Sequence, residues 1–157
     1  MQHAATTTPP GRVMNAATRH GRIRSIHPIH ALLLAFVFPL FLGTLVADIA
    51  YGRSAEIQWS NFAQWLNAAG LFMGGLALLA ALIGLVRHRK ISTGRPLVYG
   101  LILLAAWIVG LLNAFAHSKD AWAVMPEVLW WSSAAAALAL VASWLGYAGF
   151  PIKEETF

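Results

Sequence analysis

Few side chains in this sequence could do chemistry. A single carboxylate, Asp48, stands inside a long apolar run, and His27, His30, His88 and His117 stand at the margins of such runs. A carboxylate in an apolar helix is costly unless it pairs or faces water. An imidazole can supply that pairing, carry a proton or bind a metal. Helical spacing sorts their neighbours into stripes. Thr44, Asp48 and Tyr51 share one face, and Asn67, Gly70, Gly74, Ala77 and Ala81 form a small-residue face. Ala106, Gly110, Asn113 and His117 form a third face, and Trp130, Ala134, Ala137, Val141 and Trp144 a fourth. If all four faces turn inward, Asp48, Tyr51, Asn67, Asn113 and His117 gather near one membrane surface. Two readings follow: a capping and packing network between helix ends, or a binding site for a small polar or quinone-like ligand. Trp59, Trp65, Trp122, Trp130 and Trp131 fall at the same level, where tryptophan forms an interfacial belt more often than a ligand cage.

Other chemistries are weakly supported. Imidazoles from two helices can hold a b-type haem, and His30 and His88 fall at adjoining ends of an antiparallel pair. His88, however, lies within Arg87-His88-Arg89-Lys90, which reads as a solvated flank. His27 and His30 are three apart on one helix and cannot ligate opposite faces of one porphyrin. No histidine or carboxylate cluster has zinc spacing. There is no phosphate-binding glycine loop, His-Glu-x-x-His or nucleophile elbow. Haem b or quinone is the only cofactor class left open, and an enzyme is not the expectation. Gly70 and Gly74 have the GxxxG spacing of close helix packing or dimerisation, which leaves a homo-oligomer open.

The elements that must position these residues are set by composition. Hydrophobic residues make up 59% of the 157-residue chain and charged ones 11%, against about a quarter charged in soluble domains. There is no cysteine, so thiol and iron–sulfur chemistry are excluded. A hydrocarbon core of about 30 Å needs roughly 20 apolar residues in helix. Stretches of that kind run over about 30–50, 61–86, 97–116 and 128–149. None shows the alternation of barrel strands. An all-α integral membrane protein is therefore predicted, an antiparallel four-helix bundle over 27–149, with Pro39 inside its first span. No clear cleavage site follows that span, so it is read as permanent. No fixed-period repeat is evident, although two successive hairpins describe the organisation.

Lys and Arg set the orientation. Arg12, Arg19, Arg22 and Arg24 precede the first span, and Arg87, Arg89, Lys90 and Arg95 fill the central loop, while the other two loops hold only Arg53 and Lys119. The positive-inside rule then places both ends in the cytoplasm. Residues 1–26 read as a disordered basic tail and 150–157 as a short cytoplasmic tail. The net charge of +5 is a topology signal, and no nucleic-acid partner is expected.

Several local runs are family-like. His27-Pro28-Ile29-His30 ahead of an apolar helix, Asp48-Ile49-Ala50-Tyr51, and Ile57-Gln58-Trp59-Ser60-Asn61-Phe62 are three. Leu112-Asn113-Ala114-Phe115-Ala116-His117-Ser118-Lys119-Asp120-Ala121-Trp122 is the strongest, and Trp144-Leu145-Gly146 closes the last helix. With these runs the chain resembles the bacterial membrane family called domain of unknown function 2231, over about His27 to Gly149. The family's stronger pattern has a further histidine just before the proline of the first span, where this chain has Phe36-Val37-Phe38, which weakens a haem or metal reading. The resemblance points to Asp48, Tyr51, Trp59, Asn61, Asn113, His117, Asp120 and Trp122. It also implies genomic neighbours among periplasmic quinoprotein dehydrogenases and c-type cytochromes.

The expectation is a non-enzymatic, multi-pass subunit of the bacterial inner membrane, structural or docking, with a polar cluster at the periplasmic surface. The alternative is a redox subunit with a quinone or haem site passing electrons from a periplasmic dehydrogenase. A small transporter component is third, since only Asp48 is charged within the spans and no broken-helix pair is visible.

Overall fold

Apolar side chains all round a helix, with no water to hydrogen-bond the backbone, leave a bundle as the available packing. The computed structural model describes residues 23–24, 27–87, 94–119 and 125–151. Four helices account for most of them: α1 (Pro28–Ser54), α2 (Ile57–Arg87), α3 (Gly94–His117) and α4 (Glu127–Tyr147). All four are long and apolar enough to cross a membrane. His27 caps α1, its Nδ1 accepting the Ile29 N–H at 3.3 Å. Pro28 opens the first turn, where a missing N–H costs nothing. At the other end Ala55 adopts the left-handed conformation, φ 56°, and its N–H closes on the Tyr51 carbonyl at 2.8 Å. The chain then reverses within two residues into α2. Pro39 does not break α1, which runs unbroken through it.

A two-residue antiparallel ladder joins β1 (Ile23–Arg24) to β2 (Phe150–Pro151). The start and finish of the bundle therefore meet at one end, here the terminal end. The other, formed by the α1–α2 turn, the last residues of α3 and the first of α4, is the turn end.

Buried positions on each helix recur at alternating steps of three and four. On α1 they include His30, Leu34, Val37, Phe41, Thr44 and Asp48; on α3 they include Tyr99, Leu103, Ala106, Gly110, Asn113 and His117. That spacing is the seam of a left-handed antiparallel bundle. The α2 face Asn67, Gly70, Gly74 and Ala77 is buried as its small residues require. Phe41 lies against Gly70, and the Trp107 indole lies over Gly74 and Gly75 and donates to the Leu71 carbonyl at 3.0 Å. The GxxxG pair is thus used within the chain.

α4 corrects the sequence reading. Its inner face is Val128, Ser132, Ala135, Ala136, Ala139, Ala142, Ser143 and Gly146. Trp130 and Trp144 are each 75% exposed, and Ala137 and Val141 also face outward. Close helix approach needs small side chains, so the alanines take the interior and the indoles face lipid. Hydropathy cannot separate these faces, because lipid and core are equally apolar.

The two hairpins share a register that the sequence does not display. His30 and Tyr99 meet at a separation of 69 residues, and Asp48 and His117 at the same 69. Phe41 packs on Gly110 with the same offset. On the other two helices, Ala63, Asn67, Gly70, Gly74 and Ala77 are buried, and so are Ser132, Ala136, Ala139, Ser143 and Gly146, again in that register. α1–α2 and α3–α4 are therefore related by an approximate two-fold axis along the bundle. Equivalent positions of α1 and α3 meet across it as complementary partners: imidazole with phenol, ring with glycine, carboxylate with imidazole.

At the terminal end His30 Nε2 and the Tyr99 hydroxyl are 2.7 Å apart, the rings edge-on at 76°. Both residues are buried. Tyr147 adds a hydroxyl bond to the Ala31 carbonyl at 2.8 Å, tying α4 to α1. Tyr99→Phe leaves His30 with neither ring nitrogen partnered, because its Nδ1 already has none. The variant is expected to lose about 1–3 kcal/mol of bundle stability, measured by denaturant titration in mixed micelles. An unchanged midpoint would show that the imidazole finds another partner.

Candidate functional site

Asp48 lies near the turn end of α1 and His117 at the last residue of α3. The His117 Nε2 to Asp48 Oδ1 distance is 2.8 Å, and the two side chains are only 2% and 1% exposed. His117 Nδ1 lies 2.9 Å from the Asn113 carbonyl. A carbonyl only accepts, so Nδ1 carries a proton. Nε2 faces a carboxylate oxygen, and a second proton must lie between them. The pair therefore holds two protons on imidazole plus carboxylate and is electrically neutral, as either imidazolium–carboxylate or imidazole–carboxylic acid. Neutrality is what allows it to sit in a lipid-surrounded core.

Asn113, wholly buried one turn before His117, has no partner for its side-chain oxygen or nitrogen. Asn67 donates its side-chain N–H to the Gly110 carbonyl at 3.0 Å, which fixes the amide and leaves its Oδ1 without a partner. Asp48 Oδ2 is likewise buried and unpartnered. Tyr51 caps the layer, packing with Ala116 and Val128 and flanked by Met125 and Trp131. Beside the layer a groove of about 390 Å³ runs between α2 and α3, lined by Asn61, Gln64, Trp65, Asn67 and His117 among others. Nearby, the α3–α4 connection is held by Lys119 with Glu127, whose other oxygen accepts from the Trp131 indole at 3.3 Å.

The residues singled out from sequence thus divide. Asp48, Tyr51, Asn67, Asn113 and His117 lie inside the bundle near its turn end. Trp59 and Asn61 lie on the outward face of α2. Asp120, Trp122 and His88 lie outside the described residues. His27 is an exposed cap and His30 is committed to Tyr99, so these two do not converge on a shared ligand. Both nitrogens of His117 are engaged within the protein. Among the described residues no group of three or more His, Asp or Glu could hold a metal ion. The sequence reading missed Tyr99 as partner of His30. Nothing in the sequence singles it out: 30 to 48 and 99 to 117 are equal intervals, but only the folded register shows which residues meet.

Four apolar helices around a neutral acid–imidazole pair define a helical, membrane-spanning bundle of hairpins. The chain belongs to the family described as predicted membrane protein (DUF2231), whose model matches residues 26–149. No curated protein matches it, and no solved structure does.

Proposed function

We propose that this chain is a non-enzymatic subunit of the bacterial inner membrane, with both ends in the cytoplasm and the turn end offered to a soluble periplasmic partner. The observation that carries this reading is the length and surface of α2. Its 31 residues, at about 1.5 Å each, span about 46 Å against a hydrocarbon core of about 30 Å. Its opening turns stand clear of the lipid and expose Ile57, Trp59, Phe62 and Trp65 between Gln58, Asn61 and Gln64. Indoles interleaved with amides are the composition of a docking face. The implied partner is a periplasmic dehydrogenase or c-type cytochrome.

A second reading, a redox subunit with a quinone site, draws on the α2–α3 groove, where Trp65 and amide side chains adjoin an apolar wall open to lipid. One experiment separates the two. If the turn end docks a partner, Trp59→Ala weakens co-purification by roughly 2 kcal/mol, about thirtyfold, while Ala114→Leu, which fills the groove from α3, leaves it intact. If the groove binds a quinone, a quinone analogue quenches Trp65 fluorescence and Ala114→Leu reduces that effect. Retention of the partner by Trp59→Ala removes the docking reading.

A further inference from the structure

We infer that the turn end of the bundle holds ordered water among Asp48, Asn67 and Asn113, admitted through the α2–α3 groove and stopped by Phe41, so that the proton shared by Asp48 and His117 meets water from one side of the membrane only. Four buried polar atoms lack partners in this one region: Asp48 Oδ2, Asn67 Oδ1, and Asn113 Oδ1 and Nδ2. They are held together by bonds already described, since Asn67 is tied to Gly110, and Asp48 to His117 on the same stripe of α3. Gly110, Asn113 and His117 span about 10 Å of helix.

The bundle register explains the vacant bonding capacity. Across the two-fold axis Asn113 is the counterpart of Thr44. At the neighbouring positions the partners touch: Phe41 fills the space over Gly110, and Asp48 reaches His117. Thr44 is short, and its hydroxyl turns back on the Leu40 carbonyl at 3.0 Å. Asn113 is left facing a partner that does not reach it. Two waters fit this constellation, because between them they donate to the three oxygens and accept from the Asn113 amide N–H, each within the two to four bonds that buried waters characteristically make. A cation does not fit. The acid–imidazole pair is already neutral, and an added ion would leave a net positive charge in a lipid-surrounded core.

Access is one-sided for a steric reason. The groove beside the layer is lined by Asn61, Gln64, Asn67 and His117 and lies toward the turn end. Toward the terminal end the Phe41 ring, 1% exposed, is seated between Gly70 and Gly110. Beyond it come Val37, Leu34, Leu103 and Ala106, all fully buried.

Water-edited NMR of the full chain in lipid nanodiscs tests this, with nitrogen labelled throughout. Water cross-peaks are expected at the Asn113 amide and the His117 Nδ1–H, and none at the backbone N–H of the fully buried Leu103 beyond the Phe41 layer. Asn113→Leu provides an independent readout. A hydrated Asn113 makes the leucine variant less stable and abolishes the His117 cross-peak. A dry, unpartnered Asn113 makes the variant equally or more stable. No water contact at Asn113 in the wild-type protein overturns the inference. So does a shift of the Asn113 signals when sodium replaces choline, which would assign the site to a cation, and so does a water cross-peak at the Leu103 backbone N–H, which would remove the one-sided seal.

Discussion

His117→Phe is expected to be among the most damaging single substitutions in the chain, at about 3–5 kcal/mol, because it leaves Asp48 buried without its partner. The ring is replaced by one of similar shape, so the loss reports the missing nitrogens rather than a cavity. Asp48→Leu should cost a similar amount by stranding the imidazole. Combining them removes both polar groups, and the double variant should be far more stable than the sum of the two losses. Replacing a whole buried pair by apolar groups is often close to neutral. The measurement is a double-mutant cycle on unfolding in mixed micelles. The coupling should be well above the roughly 0.6 kcal/mol averaged by neutral interhelical hydrogen bonds in membranes. Additive losses would mean that the 2.8 Å contact contributes nothing of its own.

Gly110→Ala is the second large effect expected. A Cβ at that position would lie 2.6 Å from Phe41 Cε1 and 2.8 Å from its Cζ. On the α2 side the same ring lies over Gly70, where a Cβ would stand 3.3 Å away, tighter than ordinary contact. The ring or one helix must shift, at about 1–3 kcal/mol. The displacement should also stretch the Asn67 bond to the Gly110 carbonyl. Phe41→Leu in the same chain should restore most of the stability, since it clears the space at the axis. Gly84→Ala and Gly100→Ala are the controls. Nothing lies within 4 Å of a Cβ at either position, and the gain in helix propensity leaves them neutral or slightly stabilised. Failure of Phe41→Leu to rescue would place the strain elsewhere.

The two effects act on one axis. Phe41 on Gly110 sets how closely α1 and α3 approach, and that distance decides whether Asp48 reaches His117 two turns further on. A substitution in the apolar middle is therefore read out at the polar end, through rigid helices rather than through any chain of polar contacts.

By itself the sequence determined the class of this protein. Four apolar runs of spanning length, almost free of charge, can only be membrane helices, because lipid satisfies no backbone hydrogen bond. It also determined which faces of α1, α2 and α3 turn inward, since there polar or small residues interrupt an apolar surface at helical spacing. For α4 that signal is ambiguous: alanine recurs around most of the helix, and the spacing that aligns Trp130 with Trp144 marks a face that packing turns outward. The pairing of Asp48 with His117 and of His30 with Tyr99 was decided by the tertiary structure alone. Only the 69-residue register across the axis selects those partners, and that register is hidden because the residues that meet there are complementary in shape and charge rather than alike.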